Sequence, residues 1–186
     1  VRRLLAAAVS AVTLVAGSAH AEDALQRDAV ISDCILAAAH VHRLPPALLV
    51  TLLNVEGGSL GRVSHNTNGT VDIGPMQVNQ IWLSEVAAHW HSSTSASYYA
   101  LRDNFCANVE AGAWILRKGL DEAHGDFWEG VGYYHSHDPE YKRSYLHAVL
   151  AQILRLRALV QRAAYGPGVP NGPAVTLAAN PPNRSK

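Results

Sequence analysis

Glu56 ends an apolar run, Leu48-Leu49-Val50-Thr51-Leu52-Leu53-Asn54-Val55, and is followed by Gly57-Gly58. A carboxylate at the end of a greasy helix is poorly solvated, which disfavours its charged form and raises its pKa. A carboxylic acid that stays protonated near neutrality can hand a proton to a leaving oxygen. Glutamate at a helix C-terminus also opposes the helix dipole, so a purely structural cap explains it less well. Two later segments belong with it: Asp72-Ile73-Gly74-Pro75-Met76-Gln77-Val78-Asn79 and Gly132-Tyr133-Tyr134-His135-Ser136. Asp72 is a candidate second carboxylate, but its place just before Pro75 fits a helix cap better. His89-Trp90-His91 and His135-Ser136-His137 lack ligand spacing on a helix and have no evident Cys or carboxylate partner. They read as solvated or hydrogen-bonded histidines, and neither metal nor cofactor is expected.

These residues must be positioned by a mostly helical chain. Leu25, Val30, Cys34, Ile35, Ala38 and Val41 have helical spacing over residues 24 to 42. Pro45-Pro46 breaks that helix and starts the next, which runs to Glu56 and stops at the glycines. Residues 59 to 73 are polar; Asn68-Gly69 beside Thr70-Val71 predicts a small hairpin or ordered loop. Pro75 suits the first turn of a third helix through about Ala88. Residues 89 to 99 read as loop. Asn104 caps a helix from Phe105 to about Ala123, with Cys106, Val109, Ala113, Leu116 and Leu120 facing inward. Phe127 to Tyr134 forms a short helix. Asp138-Pro139-Glu140 opens the last one, whose apolar set is Tyr141, Tyr145, Val149, Ile153, Leu156 and Val160. Trp82, Trp114 and Trp128 are assigned to the core.

Residues 1 to 21 read as a secretory signal peptide, with Arg2 and Arg3 ahead of an apolar stretch and Ala19-His20-Ala21 at the cleavage site. The stretch is short for a membrane anchor. The expectation is a periplasmic protein with one domain over residues 22 to 164 and a disordered Pro/Gly-rich tail over 165 to 186. Removing Arg2 and Arg3 from 15 basic and 15 acidic residues leaves a near-neutral chain, so nucleic-acid binding has no electrostatic support. The two cysteines, Cys34 and Cys106, read as one disulfide in an exported protein; the alternative is two buried thiols.

The ordered set of Glu56, the Asp72 to Asn79 run, Cys106-Ala107-Asn108-Val109 with Ala111-Gly112-Ala113-Trp114-Ile115-Leu116, and Tyr134-His135-Ser136 resembles the lysozyme-like lytic transglycosylases of peptidoglycan. It is most similar to the small specialised members associated with conjugation, type III secretion and pilus systems. The resemblance covers roughly residues 32 to 146 and implies an α+β, predominantly α-helical, lysozyme-like single domain with a small hairpin or loop region. It implies a monomer acting on glycan strands and partnered with an envelope-spanning machine. It makes Glu56 the single catalytic acid. It assigns Gly74, Met76, Gln77 and Asn79 to the cleft beside the acid, and Tyr134 and His135 to the segment facing the catalytic centre. Two residues depart from the family pattern: Gly57 replaces the usual Ser, removing a hydroxyl, and His135 replaces the usual Asn with a titratable ring. A lysozyme-type hydrolase using Asp72, or a non-catalytic wall-binding module, are the competing functions.

Overall fold

A computed structural model describes residues 13–166, with side chains from residue 22 onward. The expected signal peptide lies outside these residues up to position 12, and its remainder, 13–21, falls within the first helix; the expected tail lies outside them beyond Gly166. Seven helices and a three-stranded sheet follow in the order α1 (Thr13–His42), α2 (Pro46–Glu56), β1 (Val63–His65), β2 (Val71–Ile73), β3 (Val78–Asn79), a 3-10 turn (Gln80–Trp82), α3 (Leu83–His89), α4 (Thr94–Asp103), α5 (Phe105–Glu122), α6 (Phe127–Tyr133) and α7 (Pro139–Tyr165). The architecture is α+β and mostly helical, as the pattern predicted. Among the described residues no single helix is long and apolar enough to cross a membrane.

α5 is the axis of the domain. α1, α4 and α6 pack on it, and α7 packs on α2 and α6. Val109, Ala111, Ala113, Ile115 and Leu116 of α5 meet Leu49 and Leu52 of α2, Ile73, Met76 and Val78 of the sheet region, and Val149 of α7 in one core. Asn104 accepts from the Ala107 N–H and Asp138 from the Glu140 and Tyr141 N–H groups, so both predicted caps form. The Cys34–Cys106 disulfide joins α1 to α5 with a Cα–Cα distance of 4.9 Å.

The predicted hairpin exists as β1 and β2, antiparallel with Ser64 opposite Asp72. It is extended by a strand that the sequence reading missed: β3 pairs with β2, setting Asp72 opposite Asn79. The predicted helix from Pro75 does not form. Gly74 and Gln77 both take left-handed backbone angles, φ 70° and 48°, which turn the chain sharply back on itself. α3 starts only at Leu83. The expected loop over 89 to 99 is helical from Thr94, because Ser93 accepts from the Ala96 N–H and starts α4. Several assigned core positions face solvent: Leu25, Val30 and Val41 of α1, Cys106 of α5, Trp128 of α6, and Tyr141 and Val160 of α7. Spacing identified the helices; Leu25 and Val30 near the start of α1 and Val160 near the end of α7 lie in stretches without a covering neighbour.

Candidate active site

Glu56 is the last residue of α2. Gly57 follows with φ 61°, and its N–H closes the helix on the Leu53 carbonyl. This left-handed residue turns the chain away and leaves the carboxyl at a helix end among apolar groups. The Tyr145 hydroxyl donates to Glu56 Oε1 at 2.7 Å. Burial pushes the Glu56 pKa up to about 7; the Tyr145 hydrogen bond works against that rise and the charge of Asp72 adds to it. A group that exchanges its proton near neutrality can serve as acid and then as base.

A tight backbone approach fixes the wall beside Glu56. A side chain at Gly58 would collide with the Gly74 and Pro75 carbonyls and with the Gln77 amide, so only glycine lets the two segments meet. Gln77 Nε2 donates to the Gly74 carbonyl at 2.8 Å, holding the turn shut. The Met76 side chain is fully buried. It lies against Gly112 of α5, where an added Cβ would be 2.8–3.0 Å from its atoms. The Met76 backbone carries the site contacts. Its carbonyl accepts from the Tyr134 hydroxyl at 2.7 Å, and its N–H donates to Asn108 Oδ1 at 2.7 Å. The fully buried Asn108 amide also donates to the Ile73 and Leu101 carbonyls, each at 2.9 Å. This residue pins the whole Ile73–Met76 turn to α5.

Asp72 caps no helix. It lies in β2, where Asn66 Nδ2 donates to Oδ2 at 2.9 Å and Asn79 Nδ2 donates to Oδ1 at 2.7 Å. Asn79 in turn accepts from the Ile81 N–H and so caps the 3-10 turn. Both Asp72 oxygens are therefore occupied by side-chain amides from the flanking turn and strand. Its charge still reaches Glu56.

Tyr134 stands parallel to Tyr145 with ring centroids 6.5 Å apart, and His135 stacks on Tyr145 at 4.7 Å. Partial burial lowers the His135 pKa, with Asp72 acting in the opposite sense. Glu56, Tyr134 and His135 thus gather around Tyr145, and Gln77 sits against Gly58, two residues after Glu56. Tyr145 is the contact the motifs did not supply: the sequence reading assigned it to the apolar face of α7. Its spacing with Tyr141 offered only a helical signal, and Tyr141 is exposed. Asn108 gave a sharper clue, an amide among apolar α5 residues.

His89 is hydrogen-bonded, as expected, but to a carboxylate that the local sequence did not show. His89 has a carboxylate partner, Glu110, contributed by α5 from 21 positions away. Trp90 packs inward and donates to the same carboxylate. Away from Glu56, α6 and α7 border an open groove of about 440 Å³ lined by Trp128, Lys142, Leu146 and Leu150.

A helical domain with one protonatable acid at a helix end, beside a turn clamped by glycine, asparagine and tyrosine, has the layout of a lysozyme-like fold. The Transglycosylase SLT domain family model matches residues 33–146, and the chain belongs to that family. It is also similar to the Invasion protein IagB of Salmonella typhimurium strain SL1344, with 28% identity over 106 residues. The protein of that name from Salmonella typhi matches to the same extent. The aligned region is 56% of this chain and spans 62% of the length of these curated relatives.

Proposed function

We propose that this protein is a peptidoglycan lytic transglycosylase that cleaves the β-1,4 bond between N-acetylmuramic acid and N-acetylglucosamine. The observation that carries this reading is the pairing of one carboxyl held near pH 7, Glu56, with a second carboxylate, Asp72, whose two oxygens are already engaged. Glu56 donates its proton to the glycosidic oxygen as the C1–O bond breaks. The resulting carboxylate takes the proton from the muramic 6-hydroxyl as O6 bonds to C1. The products are a 4-hydroxyl end and a 1,6-anhydro ring; no water is consumed and Glu56 ends protonated. An intramolecular hydroxyl has a large advantage over bulk water. Tyr145 orients the carboxyl through its 2.7 Å hydrogen bond. The turn from Gly74 to Gln77, with Tyr134 and His135, forms the surface against which the glycan lies.

The closeness of Asp72 in charge to Glu56 favours a second reading, a lysozyme-type hydrolase in which Asp72 assists water or the sugar cation. Mass spectrometry of muropeptides released from purified sacculi separates the two. Anhydro-muramic ends support the transglycosylase, reducing ends support the hydrolase, and no released material favours a wall-binding module. The biological role we propose is local opening of the wall in the periplasm for a conjugation, secretion or pilus apparatus. The similarity to proteins named for invasion is consistent with that role.

A further inference from the structure

A second cluster of polar side chains lies where α1, α3 and α5 meet, and the proposed glycan chemistry does not use it. His42 ends α1, His89 ends α3, and Glu110 sits within α5. Both imidazole Nε2 atoms converge on one carboxylate oxygen: His42 lies 2.8 Å and His89 2.9 Å from Glu110 Oε1. The other oxygen accepts from the Trp90 indole N–H at 2.5 Å. The three potential ligand atoms all lie within 4.8 Å of one another. His42 is buried, at 8% exposure, while His89 and Glu110 are about one-third open.

We propose that His42, His89 and Glu110 form a binding site for a divalent transition-metal ion of the zinc class. Two imidazoles and one carboxylate are a donor set suited to zinc, with a fourth position left for water on the open side of His89 and Glu110. A tetrahedral zinc with bonds of about 2.0–2.1 Å needs ligand atoms about 3.3 Å apart. The histidine–carboxylate pairs must open by about 0.5 Å from their present separation, and the two Nε2 atoms, which lie within 4.8 Å of each other, must settle at the same spacing. The neighbours already fix the ligands. Trp90 holds the carboxylate, and the His89 ring is stacked on Trp114 at 4.7 Å and 10°. Such outer contacts orient metal-binding side chains.

The placement gives the ion a structural task. Glu110 lies four residues after Cys106 on α5, one helical turn along the same face. His42 lies two turns beyond Cys34 on α1. The disulfide and the ion would clamp the α1–α5 seam at two points, and the ion alone would bring α3 into the clamp.

The test uses the untagged, disulfide-bonded protein stripped with chelator. Adding zinc chloride should raise its melting temperature by at least about 5 °C when the ion is in large excess over its dissociation constant. Cobalt(II) should give the visible absorption bands of a tetrahedral site with one ion per chain. Glu110→Gln and His89→Gln, which retain hydrogen-bonding groups, should each lose those bands. In wild-type protein, long-range proton–nitrogen spectra should move the Nε2 signals of His42 and His89, and of no other histidine, on adding zinc. The spectra settle the location even where a variant fails to fold. An unchanged melting temperature with no cobalt bands would mean a hydrogen-bonded cluster only and would overturn the proposal. Bands that persist in both folded variants, or Nε2 shifts at other histidines, would overturn it as well.

Discussion

Glu56→Gln separates stability from activity in a way that reports directly on the burial of this acid. The native carboxyl releases its proton near pH 7 rather than near 4.5. Below about pH 4.5 the folded and unfolded chains both hold the proton, and the effect is nil. Between about 4.5 and 7 the folded state keeps a proton that the unfolded chain has released, so wild-type stability falls as pH rises. Above 7 both states are ionised and the penalty is complete. A difference of about 2.5 in pKa corresponds to roughly 3 kcal/mol. Residual solvent access to the mostly buried carboxyl reduces this to about 2 kcal/mol. Glutamine carries no such penalty and its oxygen still accepts from Tyr145. The variant should therefore match wild type in urea melts at pH 4 and exceed it by about 2 kcal/mol at pH 8. The same protein should release nothing measurable from sacculi. A stability difference that does not change between pH 4 and 8 would refute the burial argument. Near-normal digestion would remove Glu56 from the chemistry.

Three further substitutions probe the surroundings of the acid. Tyr145→Phe removes the hydrogen bond that favours the carboxylate, so the alkaline limb of the pH–rate profile should move up by roughly one pH unit while kcat falls; a downward move would contradict the geometry. Asp72→Asn removes the charge that raises the Glu56 pKa, so the limb should move down while anhydro ends still dominate the products; a switch to reducing ends, or loss of all cleavage in folded protein, would assign Asp72 a direct part. Asn108→Ala leaves the Met76 N–H and the Ile73 and Leu101 carbonyls without their partner in the core, which should cost about 3–5 kcal/mol in urea melts; a loss below about 1 kcal/mol would show that the turn does not depend on this residue.

Much of the helical frame was legible because its signals are local. Asn104 and Asp138 announce their helices through side-chain oxygens that reach N–H groups two or three residues on, and Asn68-Gly69 announces its turn in the same way. Glu56 stood out because an ionisable group ending an apolar run violates the surrounding pattern. Where the reading failed, the deciding contacts came from far along the chain. Pro75 looked like a helix start until Asn108, 32 residues beyond Met76, captured the Met76 N–H. Asp72 looked like a cap because a single sequence does not reveal that Asn66 of the β1–β2 turn and Asn79 of β3 both reach its carboxylate. Tyr145 meets Glu56 across 89 residues. His89 and His42 found in Glu110 a carboxylate that neither local segment contains.

The disulfide divides the site in a topological sense. Cys34 and Cys106 close a ring of chain spanning 72 positions, and Glu56, the three strands and Gln77 all lie on that ring. Asn108, Tyr134 and Tyr145 lie on the open arm that follows it. Glu56 and the Tyr145 hydroxyl bonded to it thus belong to different parts of one covalent graph. A protease that cuts the ring once leaves two pieces still bonded into a single molecule, with the acid kept beside its tyrosine. A cut in the arm between α5 and α7 leaves Tyr145 attached by packing alone. Tolerance of backbone cleavage is therefore lopsided: high in the half that carries the acid, low in the half that holds it in position.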